Sequence, residues 1–62
     1  MIVKLMDSVA GTPVYLNPEY VVSLRPDPAD PTRITMVKLR DGETLRVHGE
    51  HREAAERLTR TL

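Results

Sequence analysis

The sequence predicts an α+β domain: a small twisted antiparallel sheet of four to five strands, able to curl into a partial barrel, with one C-terminal helix. Three observations predict this. Short runs of alternating apolar and polar residues recur along the chain. An Asp-Gly pair at 41–42 sits between two β-rich runs. Helical spacing is confined to the final segment, from Glu50 onward.

The elements follow in order. M-I-V-K-L-M predicts a strand at about residues 2–6, and D-S-V-A-G a turn in which Gly11 is free to take positive φ. T-P-V-Y-L predicts a strand at about 12–16, with Val14 and Leu16 on one side and Tyr15 on the other; Pro13 suits a strand start or an edge. Asn17-Pro18 breaks the pattern, because a residue before proline is driven out of the helical region and Asn caps or turns readily. A tight turn over Asn17–Tyr20 then feeds a strand at about 21–25. P-D-P-A-D-P-T, with three prolines in seven residues, reads as a stiff exposed loop.

The run R-I-T-M-V-K-L-R-D-G-E-T-L-R-V-H predicts a β-hairpin with strands at about 33–39 and 43–48. Val37, Leu39, Leu45 and Val47 are all odd-numbered. For them to share a face, paired positions must sum to an even number, so the loop must hold an odd number of residues. A three-residue loop, Arg40-Asp41-Gly42, satisfies this. It pairs Leu39 with Glu43 and Val37 with Leu45, and puts Gly42 where a left-handed conformation is needed. A two-residue Asp41-Gly42 turn would instead set Lys38 on the face of Leu45. The last segment predicts a helix at about 50–61. Glu50 and Glu53 lie at its start and Arg57 and Arg60 near its end, matching the dipole. Glu53–Arg57 and Glu56–Arg60 are spaced for i,i+4 pairing. Ala55, Leu58 and Leu62 form a narrow apolar stripe, with Ala54 beside it. The expected inward set is Leu5, Val14, Leu16, Val21, Leu24, Val37, Leu39, Leu45, Val47 and Leu58.

Length and composition bound the rest. A 62-residue chain makes one domain, and such a chain buries only about 60% of the surface its unfolded form exposes. With no Cys there are no disulfides and no thiolate zinc site, so a homo-oligomer is the expected supplement. The absence of Cys also fits a cytoplasmic location. No apolar run is long enough for membrane insertion, and MIVKLMDS is too short and wrongly built for a signal peptide. Nine acids balance nine bases, which argues against a general nucleic-acid binder. Phe and Trp are absent, so the core must be aliphatic and base-stacking platforms are scarce.

The candidate chemistry is sparse. His48 and His51 flank Gly49-Glu50 at a spacing of three, across a strand end and a helix start, whereas zinc needs three or four convergent ligands. No metal is expected: His48 ends a strand facing solvent, and His51 sits beside the apolar stripe. Ser8 and Ser23 lie in no nucleophile elbow, Glu43, Glu50 and Glu53 read as solvated acids, and the isolated glycines form no phosphate loop. No catalytic residue and no cofactor is therefore expected. The outer face of the hairpin is the richer surface. If odd positions face inward, Lys38, Arg40 and Arg46 face outward with Met36 and Thr44, either as an ordinary solvated face that discourages edge-to-edge pairing, the reading given more weight, or as a meeting point for phosphates or an acidic protein. Arg25 and Arg33 are candidates to extend it.

With these elements placed, the pattern G-x-P-V-x-L-N-P-E-x-V-x-x-L followed by T-x-V-x-L-x-D-G-x-x-L-x-V and a short acidic-start helix resembles the FlbD family of small flagellar-operon and swarming-motility proteins. Gly11 to Asn17, Val21, Leu24, Leu39, Gly42, Leu45, Val47 and Glu53 carry the resemblance, which spans most of the chain. It implies a non-catalytic protein–protein interaction module acting as a flagellar or motility accessory, with a protein partner of unknown identity. R-V-H-G-E-H-R-E-A-A-E-R-L is similar to the strand-to-helix segment of the carbon storage regulators, which implies as an alternative a small dimeric RNA-binding regulator. Met6-Asp7-Ser8 stands where that family has basic residues. A phage or mobile-element assembly protein on the same fold is a further alternative.

Overall fold

A computed structural model of the protein describes residues 2–59. Strands β1 (Val3–Met6) and β2 (Pro13–Leu16) come first. A 3-10 turn (Pro18–Tyr20) leads to β3 (Val21–Pro26), β4 (Ile34–Leu39) and β5 (Thr44–His48), and helix α1 (His51–Thr59) follows. The expected end of the helix, Leu62 of the apolar stripe and the Glu56–Arg60 pair lie outside the described residues.

The five strands fall in two antiparallel sheets, β1-β2 and β3-β4-β5. In the first, Val3 stands opposite Leu16 and Leu5 opposite Val14. The two sheets meet at a single antiparallel bridge between Asp7 and Val47. There the backbone N–H and the hydroxyl of Ser8 both donate to the carbonyl of Arg46, at 2.8 and 3.0 Å. The spatial order is therefore β2-β1-β5-β4-β3, with β2 and β3 as the edges among the described strands.

The turns have identifiable causes. Asn17 caps the 3-10 turn: its side-chain oxygen accepts the N–H of Glu19 at 3.0 Å, and Pro18 supplies the fixed φ of a first helical position. The hairpin has the odd loop that parity requires. Val37 pairs with Leu45, and the Leu39 N–H donates to the carbonyl of Glu43 at 2.8 Å. Gly42 adopts φ +91° and donates its N–H to the Leu39 carbonyl, while the Asp41 carboxylate accepts the N–H of Glu43 at 2.9 Å. Gly49, at φ +123°, turns the chain from β5 into α1.

The core is a cluster of Val3, Leu5, Leu16, Val37, Leu39, Val47 and Leu58, against which Val14, Val21, Leu24 and Leu45 pack half-buried. Six of the ten residues of the expected inward set belong to the cluster, and the other four are the half-buried residues packed against it. Val3 joins because it shares the face of Leu5 at period two. Thr35, also odd-numbered, is fully buried and donates its hydroxyl to the Gly49 carbonyl at 2.8 Å. Ile34 is buried outside the cluster, where the loop after β3 folds over it: Asp27 N–H donates to its carbonyl and its own N–H donates to Asp30. Helix α1 lies across β3, β4 and β1. Its buried residues are Ala54 and Leu58, and Ala55 is only half-buried. This corrects the expected stripe: an i,i+4 pair lies closer to one line along a helix than an i,i+3 pair does.

Two substitutions test this account. Leu39→Ala should cost about 2–5 kcal/mol in chemical denaturation, most of the stability available to so small a core. Gly42→Ala should cost about 1–2 kcal/mol for its left-handed backbone alone, since an added Cβ meets nothing within 4 Å; Gly42→Asn should cost less.

Candidate interaction surfaces

Register arranges the outer face of the three-stranded sheet as a grid. Ser23, Lys38 and Thr44 are paired side by side in one row, and Arg25, Met36 and Arg46 in the next. Directly paired residues share a face, so the expected orientation of Lys38, Arg46, Met36 and Thr44 holds. Ser23, Arg25, Met36, Lys38 and Thr44 line a shallow hollow of about 140 Å3. Arg25 thus joins Lys38. Arg40 does not line the hollow; it lies in the hairpin loop, where its N–H donates to the Tyr20 carbonyl at 2.9 Å. Arg33 also lies outside it, in the loop before β4, and its carbonyl accepts the Gly49 N–H.

The three expected outer cations do not act alike. Arg46 Nε donates to Asp27 Oδ2 at 2.7 Å, and its Nη2 contacts the same oxygen. Asp27 is 4% exposed, which corrects the reading of residues 26–32 as a wholly exposed loop. Its other oxygen accepts the N–H of Ala29 at 2.9 Å in an Asx turn. That backbone donor first, and the Arg46 guanidinium after it, hold the Asp27 carboxyl below the usual carboxylate range against the opposing effect of burial. Among the described residues Arg25 and Lys38 have no ion-pair partner, and the hydroxyls of Ser23 and Thr44 make no hydrogen bond.

The histidines do not converge on a common site. His48 is exposed at the end of β5. His51 begins α1, with its Nδ1 buried and lacking a hydrogen-bond partner among the described residues. No group of three His, Cys, Asp or Glu side chains able to hold a metal occurs among the described residues. Asp7 accepts the N–H groups of Ala10 and Val9 through Oδ1. These donors, with a smaller contribution from nearby His48, lower its carboxyl pKa. The hydroxyls of Ser8, Thr35 and Thr59 all donate to backbone carbonyls.

A second concavity, which sequence reasoning missed, runs between β3 and α1. Its volume is about 280 Å3, and it is lined by Pro18, Val21–Leu24, Ala55, Leu58 and Thr59, with no charged residue among them. Val22 is 60% exposed beside it. A register shift between Val21 and Ser23 leaves Val22 as the extra residue of a bulge on the unpaired edge of β3. The sequence signal for Asp27 was an Asp followed by Pro28, which favours an Asx turn; a bulge at Val22 left no such signal.

The acid limb of stability should depend on Asp27. A depressed carboxyl pKa contributes stability above the unfolded value, close to 3.8, and loses it as pH falls through the lower folded value. Asp27→Asn should therefore lower Tm at neutral pH and flatten the further loss of Tm below about pH 4. Thermal melts at several pH values check this.

No helix among the described residues is long and apolar enough to cross a membrane. In comparisons with known proteins, no family model, no curated protein and no solved structure matches this chain.

Proposed function

We propose that this chain is a non-catalytic protein–protein interaction module that works as a pair of identical copies joined through the groove between β3 and α1. The groove carries the reading. Its walls are mostly apolar and carry no charged residue, so two copies can face each other about a two-fold axis without like-charge repulsion. Val22 projects from the bulged edge beside the groove and supplies an apolar group to enter the partner's groove. A 62-residue chain without cysteine gains from the area such a pair would bury. The resemblance to the FlbD family extends the reading to a cytoplasmic motility accessory whose pair docks a further protein. The RNA-binding alternative is weakened because Asp27 neutralises Arg46, leaving fewer cations for a phosphate backbone.

Sedimentation velocity tests the pairing. The wild-type chain should sediment as a dimer, and Val22→Glu should raise the dissociation constant about a hundredfold or more by setting two carboxylates against each other. Because Val22 lies outside the core cluster, the variant should keep the dispersed amide spectrum of a folded sheet. A monomeric wild type, or a Val22→Glu chain that pairs equally well, would overturn the reading.

A further inference from the structure

We infer that the outer-face hollow is a binding site for a phosphate dianion, free or carried on a side chain, held between Arg25 and Lys38. This site shares only Ser23 with the pairing groove, differs from it in its cationic lining, and does not depend on the self-association reading.

The argument begins with register. Arg25 pairs with Met36, and Lys38 lies two residues beyond Met36 on the same strand, so the two cations are diagonal neighbours on one face. Such neighbours stand about 7–8 Å apart at the backbone, within reach of two long side chains closing on one small anion. Ser23 and Thr44 flank Lys38 in its row and carry hydroxyls with no partner among the described residues. Met36 supplies an apolar floor.

The donor arrangement favours a tetrahedral oxyanion. A carboxylate is satisfied by one guanidinium in a planar fork, whereas a phosphate presents acceptors on several sides. Here a guanidinium, an ammonium and two hydroxyls line one hollow. The charge arrangement sets the size of the ligand. Asp27 occupies Arg46 and Arg40 lies in the hairpin loop, so of the three outer cations expected from sequence only Lys38 remains in the hollow, where Arg25 joins it as a discrete pair. Two cations suit one dianion; they are too few for an extended nucleic-acid backbone, and no aromatic residue lines the hollow to stack a base.

Amide chemical shifts followed by NMR test the site. The probes are inorganic phosphate, phosphoserine and acetate, each added at constant ionic strength. Phosphate and phosphoserine should give saturable shifts centred on Ser23, Arg25, Lys38 and Thr44. Tighter binding of phosphoserine assigns the site to a phosphorylated side chain, and equal binding to the free anion. The double variant Arg25→Gln, Lys38→Gln should weaken binding at least tenfold with the fold retained, since both residues are exposed. Thr44→Ala, which removes a hydroxyl and no charge, should weaken it several-fold, and decides the matter if the double variant fails to fold. Shifts that do not saturate, that spread to Arg33 and Arg52, that are equalled by acetate, or that survive Thr44→Ala unchanged would overturn the proposal. So would tighter binding of a single-stranded oligouridine with a footprint reaching Arg33 and Arg40, which would mark a nucleic-acid surface instead.

Discussion

Gly42, held at φ +91° in a three-residue loop, determines which side of the hairpin each later side chain takes. An even loop would carry Leu45 and Val47 to the solvent face and bring Thr44 and Arg46 inward, because strand side chains alternate with period two. With the odd loop, Val37 and Val47 are fully buried, and Lys38, Met36 and Arg46 form the opposite face. The aliphatic floor under α1 and the polar grid outside it are thus two results of one backbone conformation.

The outer face is then divided by Asp27. Pro26 and Pro28 stiffen the chain on either side of this residue, and its Asx turn aims the carboxylate back at Arg46. A buried carboxylate without a cation would be costly, and an outer face with three unpaired cations would be a general anion surface. Their pairing leaves Arg25 and Lys38 as a local concentration of positive charge on a molecule whose acids and bases balance overall.

What could be read from the sequence was what depends on neighbours in the chain. Apolar runs and alternation placed four of the strands, the tight turn at Asn17-Pro18 placed the 3-10 turn and the strand after it, and the parity of Val37, Leu39, Leu45 and Val47 placed the hairpin register residue by residue. What could not be read depends on distant packing. The Asp7–Val47 bridge joins segments with no shared pattern, and Asp27 reaches across 19 residues to Arg46. Ala54 and Ala55 are chemically identical, and the i,i+4 spacing of Ala54 to Leu58, fixed against the sheet as α1 docks, decides which of them is buried. The candidate site was half legible: Lys38 and Arg46 were placed on the correct face, Arg40 was placed in the loop but also counted on the outer face, and Arg25 depended on the β3 register.

The contact of Ser8 with the Arg46 carbonyl spans 38 residues, while the three pairs of consecutive strands close over much shorter stretches. Non-local contacts form more slowly than local ones, so this seam should close after the three consecutive strand pairs. Parting there bares the flank of β5 to other strands, which makes the N-terminal ribbon a guard against aggregation.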